Sequence, residues 1–224
     1  MRARRLWVAA LWLVLPGFTL AATPAGTVIQ DTATATWQAQ GVTQSSAFSA
    51  NFSVAQLIQP TLTWQDAGQI IVPEGGAGTL TFRLTNTGNG TDSFSLAFLL
   101  PATPAPAYTP TGCQIYLDTD NSGTLTAADA LYAPGVNDPS LAAGASVDVF
   151  AVCQAPASAA VGSKALLTMT AQSKILTGAN QAKCLNAACA STTNPVIGEW
   201  AVTGADGGVA QGQGEYIVGL VFTF

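Results

Sequence analysis

The chain has 224 residues, of which 49% are apolar and only 8% charged, and it contains no histidine. That excludes every histidine-based triad, metal site and acid–base scheme. Seven basic residues face twelve acidic ones, and three of the seven stand in the first five positions, so a phosphate-tracking nucleic-acid surface is excluded as well.

Arg2, Arg4 and Arg5 precede an apolar run over residues 6–15, which Pro16-Gly17 breaks. Thr19-Leu20-Ala21 places small residues at the −3 and −1 positions of a cleavage site. Residues 1–21 therefore read as a secretory signal peptide, and the protein is expected to be exported, to the extracellular space or the cell surface. The run is too short to anchor in a bilayer, and no later stretch predicts a transmembrane helix. Beyond residue 21, four cations remain against twelve acids, a balance that suits cation binding better than anionic partners.

Residues 22–58 read as an N-terminal β-hairpin. Phe48, Ala50, Phe52 and Val54 alternate with Ser49, Asn51 and Ser53, the period of a half-buried antiparallel strand. Segment 26–58 carries one charge, Asp31, and no proline, so nothing guards its edges against pairing. It either folds back as the first hairpin of its own sandwich or adds a strand to a neighbouring subunit. Pro60 marks the boundary to a second unit, residues 59–224.

In that unit Leu80, Phe82 and Leu84 alternate with Thr81, Arg83 and Thr85. Phe94, Leu96, Phe98 and Leu100 repeat the pattern, as do Val147, Val149 and Ala151, and Tyr216, Val218, Leu220, Phe222 and Phe224. Turn clusters separate them: Glu74-Gly75-Gly76, Thr87-Gly88-Asn89-Gly90 and Ala142-Ala143-Gly144. Residues 101–112, with four prolines, read as a stiff connection. Residues 127–132 are the best helix candidate, and residues 176–195 read as a long loop. The pattern predicts an all-β fold, an antiparallel Greek-key, immunoglobulin-like sandwich. The last strand ends in Phe224 and also matches the closing strand of an outer-membrane barrel, the alternative reading.

Several segments carry a family likeness. They are Ala25-Gly-Thr-Val-Ile-Gln-Asp-Thr-Ala-Thr-Ala-Thr-Trp37, Leu84-Thr-Asn-Thr-Gly-Asn-Gly-Thr-Asp-Ser-Phe94, Ile115-Tyr-Leu-Asp-Thr-Asp120 and Leu141-Ala-Ala-Gly-Ala-Ser-Val-Asp-Val149. Together, over residues 25–173, the sequence resembles the DUF11-type conserved repeat domains of exported bacterial surface proteins. The resemblance implies an immunoglobulin-like sandwich with a non-catalytic role at the cell surface. The chain departs from that family in having one copy and no wall-sorting motif, and residues 176–224 lie outside the match.

The sharpest chemical motif is Asp118-Thr-Asp-Asn-Ser-Gly-Thr-Leu-Thr-Ala-Ala-Asp129. Calcium takes six to eight oxygens, and a twelve-residue loop supplies them from positions 1, 3, 5, 7 and 12, with glycine at 6. That selects Asp118, Asp120, Ser122, the Thr124 carbonyl and Asp129, with Gly123 at the turn. Aspartate at position 12 resembles dockerin-type loops. The competing reading is an empty polar turn.

Cys113, Cys153, Cys184 and Cys189 all follow the signal segment, and an even count in an exported chain predicts disulfides. Three pairings are open. Cys113–Cys153 with Cys184–Cys189 is favoured, because the first joins two predicted strands across the acidic loop and the second closes a short loop. Trp37, Trp64 and Trp200 are expected to fill the core.

The sequence thus predicts an exported, non-enzymatic structural or adhesive protein of the bacterial cell surface, in one form a strand-exchanging fibre subunit. Its expected partners are other copies of itself or other surface proteins. The alternatives are a small outer-membrane barrel or a carbohydrate-binding module.

Overall fold

The structure, a computed structural model, describes residues 22–99, 108–175, 192–193, 200–204 and 206–220. Two five-stranded sheets face each other. One has the order β10 (Ser140–Leu141), β7 (Asp92–Leu99), β12 (Lys164–Ser173), β15 (Val209–Val218), β5 (Ile70–Val72). The other has the order β4 (Pro60–Trp64), β6 (Ala77–Asn86), β11 (Ser146–Gln154), β8 (Thr111–Leu117), β9 (Ala130–Leu131). The chain passes from sheet to sheet at β4–β5, β5–β6, β6–β7, β7–β8, β9–β10, β10–β11 and β11–β12, so of the strand pairs described in these two sheets only β8–β9 is adjacent in sequence. This is the all-β, immunoglobulin-like sandwich that the alternation predicts.

Alternation becomes a core because each inner face turns its apolar side chains to the other sheet. Leu80, Phe82 and Leu84 of β6, Phe94 of β7, Val149 and Ala151 of β11, and Leu167 and Met169 of β12 are fully buried. Arg83, on the outer face of β6, instead meets Asp148 across the β6–β11 pair through two hydrogen bonds of 2.7 and 2.8 Å. Tyr216 of β15 is buried too, and its hydroxyl donates to the Ala151 carbonyl at 2.8 Å, tying the two sheets through the core.

Two strand pairs are parallel, which the sequence did not predict. β5 runs parallel to β15, and β3 (Gln56–Ile58) runs parallel to β14 (Trp200–Thr203). With β13 (Thr192–Thr193), the latter pair makes a three-stranded sheet over a small cluster of Ile58, Ile175 and Ala201. Residues 56–58 therefore belong with the chain's carboxy-terminal part.

Three local expectations need correction. Residues 127–132 form no helix. Asp129 N donates to the Thr126 carbonyl at 3.3 Å, a single turn, and Ala130 and Leu131 then pair with Leu117 and Tyr116 as β9. Strand β8 starts at Thr111, inside the segment read as a stiff connection. Residues 192–193, read as loop, are strand. Among the described residues no helix is long and apolar enough to cross a membrane.

The core carries the stability of the sandwich, and truncating it leaves a cavity. Phe82→Ala is expected to cost about 3–5 kcal/mol in urea unfolding. Phe48→Ser, in the exposed hairpin described below, is expected to stay within about 0.5 kcal/mol in dilute protein.

Candidate functional site

Strands β1 (Val28–Ala39) and β2 (Val42–Ser53) pair over their full lengths, Val28 with Ser53 through Ala39 with Val42. Gln40 and Gly41 close the hairpin with φ of 52° and 79°. A two-residue turn with both φ positive matches the twist of its strands, and glycine is the residue that adopts it freely. Twelve residues a strand at about 3.4 Å each give a ribbon about 40 Å long.

Its two faces differ in chemistry. One, the more apolar, carries Ile29, Asp31, Ala33, Ala35, Trp37 and Ala39 opposite Phe52, Ala50, Phe48, Ser46, Gln44 and Val42. The other carries Val28, Gln30, Thr32, Thr34, Thr36 and Gln38 opposite Ser53, Asn51, Ser49, Ala47, Ser45 and Thr43. The expected half-burial of β2 is not what the structure shows. Every residue of the ribbon is exposed except Ser46, which is half-buried. Phe48 is 67% exposed, Phe52 57% and Trp37 49%. Trp37 is thus not a core residue. Trp64 packs against the core as expected, with Nε1 donating to Asp66 at 2.6 Å; the Trp200 side chain lies outside the described residues. The alternation was right about the two faces, but what covers the apolar one is a separate question.

The ribbon's root is held by the turn between β6 and β7. Asn89 accepts the Leu57 N–H at Oδ1 (2.6 Å) and donates through Nδ2 to the carbonyls of Thr23 (3.0 Å) and Ala55 (3.1 Å). Its own carbonyl accepts the Ala25 N–H at 3.0 Å. Three residues earlier, Asn86 donates to Gly90 and Leu141 carbonyls, both at 2.8 Å, and accepts the Gly88 N–H at 3.0 Å. A Cβ on Gly88 would stand 2.1 Å from the Leu57 carbonyl oxygen, so only glycine lets the strand after the hairpin cross here.

The acidic loop between β8 and β9 brings the expected residues together. Carboxylate oxygens of Asp118, Asp120 and Asp129 lie within 4.8 Å of one another. The Ser122 hydroxyl donates to the Thr124 carbonyl at 2.8 Å, so positions 5 and 7 adjoin. Asp118, buried, accepts the N–H groups of Ser122 (3.1 Å) and Gly123 (2.9 Å). Asp120 accepts the Ser122 N–H and the Thr126 hydroxyl, both at 2.9 Å, and hydrogen bonding from Ser122 and then Thr126 holds its carboxyl below the ordinary range. Asp129 accepts from Thr119 N (3.1 Å) and Thr126 N (2.6 Å). Asn121 and Gly123 adopt positive φ, 55° and 71°, to make the turn. An oxygen-rich pocket of this kind suits a hard cation.

Cys113 and Cys153 form a disulfide between β8 and β11, as expected, closing a separation of 40 residues. Chain-entropy arguments give such a loop about 4 kcal/mol. Cys184 and Cys189 lie outside the described residues.

One charged residue went unnoticed in the sequence. Asp92 is buried at the start of β7, and neither carboxylate oxygen has a hydrogen-bond partner. Burial pushes its carboxyl up to about 6, with Ser173 and the Ser93 N–H pulling it partly back without completing a bond. It shares the inward face with Phe94 and Leu96, and an acid at a core position of a strand is the signal that marks it.

No family model and no curated protein matches the chain. Solved structures of related shape include the seventh ScaB type I cohesin of Pseudobacteroides cellulosolvens, at 7% identity and a TM-score of 0.33, covering 74% of this chain and 97% of that one. Another is the ASH/PapD-like domain 7 of human CEP192, at 10% identity and a TM-score of 0.30, covering 98% of this chain and 100% of that one. Both are remote, and the fold assignment rests on this chain's own strand order and core.

Asp92 gives a pH signature. Its folded-state pKa lies above the unfolded value, so its contribution to stability is complete below pH 3.8 and is lost as pH rises through about 6. Asp92→Asn is expected to match the wild type near pH 4 and to exceed it above pH 6, by on the order of 2–3 kcal/mol, in unfolding titrations across that range.

Proposed function

We propose that this is an exported, non-enzymatic structural or adhesive β-sandwich of the bacterial cell surface, which associates with other copies of itself through the hairpin of residues 28–53. The observation that carries the reading is the ribbon's more apolar face, with Ile29, Trp37, Phe48 and Phe52 exposed among the described residues. A two-stranded ribbon alone is marginal in water, and apolar side chains in a row on such a ribbon mark a contact surface. The resemblance to DUF11-type domains supports the surface role. Export is supported by residues 1–21 and by the Cys113–Cys153 disulfide, a bond of oxidising compartments. The organisation that follows is a signal segment 1–21, an assembly hairpin within 22–58 and a sandwich domain over 59–224.

We further propose that the acidic loop holds calcium, through Asp118, Asp120, Ser122, the Thr124 carbonyl and Asp129. The clustered carboxylates and the adjoining Ser122 and Thr124 oxygens support it. The role is to fix the β8–β9 connection, with no chemistry on a substrate.

Sedimentation of the exported protein over a wide concentration range tests the assembly reading. The expected result is reversible growth beyond the monomer, weakened at least about tenfold by Trp37→Ser with Phe48→Ser; a monomer throughout refutes it. For calcium, a chelator is expected to lower the melting temperature and Asp118→Ala to remove that sensitivity, since a ligand that binds the folded state alone stabilises it. A wild type that melts identically with and without chelator would leave the loop an empty turn.

A further inference from the structure

We infer that the outer edge of β2 pairs antiparallel with the same edge of a second copy, in the register that sets Phe48 opposite Phe48 of the partner subunit. The inference rests on the hairpin association proposed above and adds the edge, the register and the symmetry.

The ribbon's own ladder decides which backbone groups are spare. At the root the Val54 N–H donates to the Thr27 carbonyl at 2.9 Å, and at the tip the two-residue turn closes Ala39 on Val42. In an antiparallel pair the inward bonds fall on every second residue. Thr43, Ser45, Ala47, Ser49, Asn51 and Ser53 of β2 therefore aim their N–H and C=O groups away from β1. β1 and β2 make a sheet of two strands only, and none of these outward groups has a partner among the described residues. The side chains that do bond on this face bond across their own ribbon, Thr32 with Ser49 and Gln38 with Thr43.

Other edges carry the devices that discourage pairing. β1 holds Asp31, proline opens β4 at Pro60, Pro73 follows the three-residue β5, and Asp138-Pro139 precede the two-residue β10. On β7 the outward N–H groups of Phe94 and Leu96 are taken, by the Pro139 carbonyl at 3.0 Å and the Tyr132 hydroxyl at 2.9 Å. β2, Val42–Ser53, has neither charge nor proline. A long edge left bare in this way is a template for another strand.

Self-pairing of one edge is isologous, so it closes about a two-fold axis. Outward groups must meet outward groups, which restricts the register to odd residues facing odd ones. The register that uses the whole edge sets Thr43 against the partner's Ser53, Ser45 against the partner's Asn51 and Ala47 against the partner's Ser49. Phe48 then falls on the axis, in a pair without backbone bonds, where side chains come closest and aromatic pairs add stability. The axis stands perpendicular to the sheet, so both more apolar faces stay on one side and both Thr/Ser faces on the other. A one-residue slip would set spare groups against bonded ones. Each tip meets the other copy's root, which places the two sandwiches at opposite ends of a four-stranded sheet. Four strands with one apolar face meet the usual size of a stable sheet, which two do not.

Edge-specific variants of the full exported protein test this. Ala47→Pro removes an outward donor from β2 and leaves the ribbon's own ladder complete, and Thr34→Pro does the same on β1. In sedimentation, Ala47→Pro is expected to weaken self-association at least tenfold more than Thr34→Pro. Ala47→Lys, a charge at the same exposed position, is expected to act likewise and serves if the proline disturbs the hairpin. For the register, Ser46→Cys and Ala50→Cys chains are mixed, oxidised and mapped by mass spectrometry. The 46–50 crosslink is expected to exceed the 46–46 and 50–50 crosslinks at least tenfold; the reverse overturns the register. If Thr34→Pro is the more damaging, or the two prolines act equally, β1 takes part in the pairing and the inference falls. If neither proline matters while Trp37→Ser with Phe48→Ser does, the ribbons meet by their faces, and the inference falls while the hairpin reading stands. A wild type that stays monomeric removes both.

Discussion

Two buried amide side chains in the turn between β6 and β7 hold one end of this molecule together. Asn86 joins that turn to the β10–β11 connection through the Leu141 carbonyl, and its backbone carries the link on to Gly144 and Ala145. Asn89 gathers the chain entering the hairpin, at Thr23 and Ala25, with the chain leaving it, at Ala55 and Leu57. Neither could be replaced by an apolar residue of similar size, because each satisfies backbone groups that would otherwise be stranded at about 1–3 kcal/mol apiece. Gly88 between them is fixed by the passage of the Leu57 carbonyl. The position of the ribbon relative to the sandwich follows from these contacts.

The sandwich and the ribbon obey the same pattern rule under different constraints. In β6 and β12 the apolar face is enclosed, and the side chains reach zero exposure. In β1 and β2 the same period-two pattern builds a face with no second layer among the described residues. The sandwich has long-range order of its own, with a disulfide linking β8 and β11. The ribbon has only its cross-strand bonds and its root. Trp37, Phe48 and Phe52 stand exposed and residues 32–53 carry no charge to repel a neighbour, which supports the proposed association through the hairpin.

The legible part of the sequence was the part where neighbouring residues decide the outcome. Alternation at Leu80, Phe82 and Leu84 located β6 and its inward face, and Gly-rich clusters located the turns around it. The Cys113–Cys153 pairing and the gathering of Asp118, Asp120 and Asp129 followed from spacing. What was not legible depended on contacts distant in sequence. Periodicity assigns faces but does not say what lies against them, so Trp37 was expected in the core. Thr126 and Asp129 make the reciprocal bonds of a helix start, but Asp129 also takes the Thr119 N–H, and the chain turns at once to pair with β8. The parallel pairings of β3 and β5 join segments more than 140 residues apart, beyond any local signal.

The central claim is that the ribbon's apolar face is covered by another copy of the chain. Amide hydrogen exchange of the hairpin, followed as protein concentration rises, tests it most directly. The account predicts that amides of residues 33–48 exchange quickly in dilute protein and become protected as assembly proceeds, while the amides of β6 and β12 stay protected at every concentration. Hairpin amides whose exchange is the same at all concentrations would contradict it.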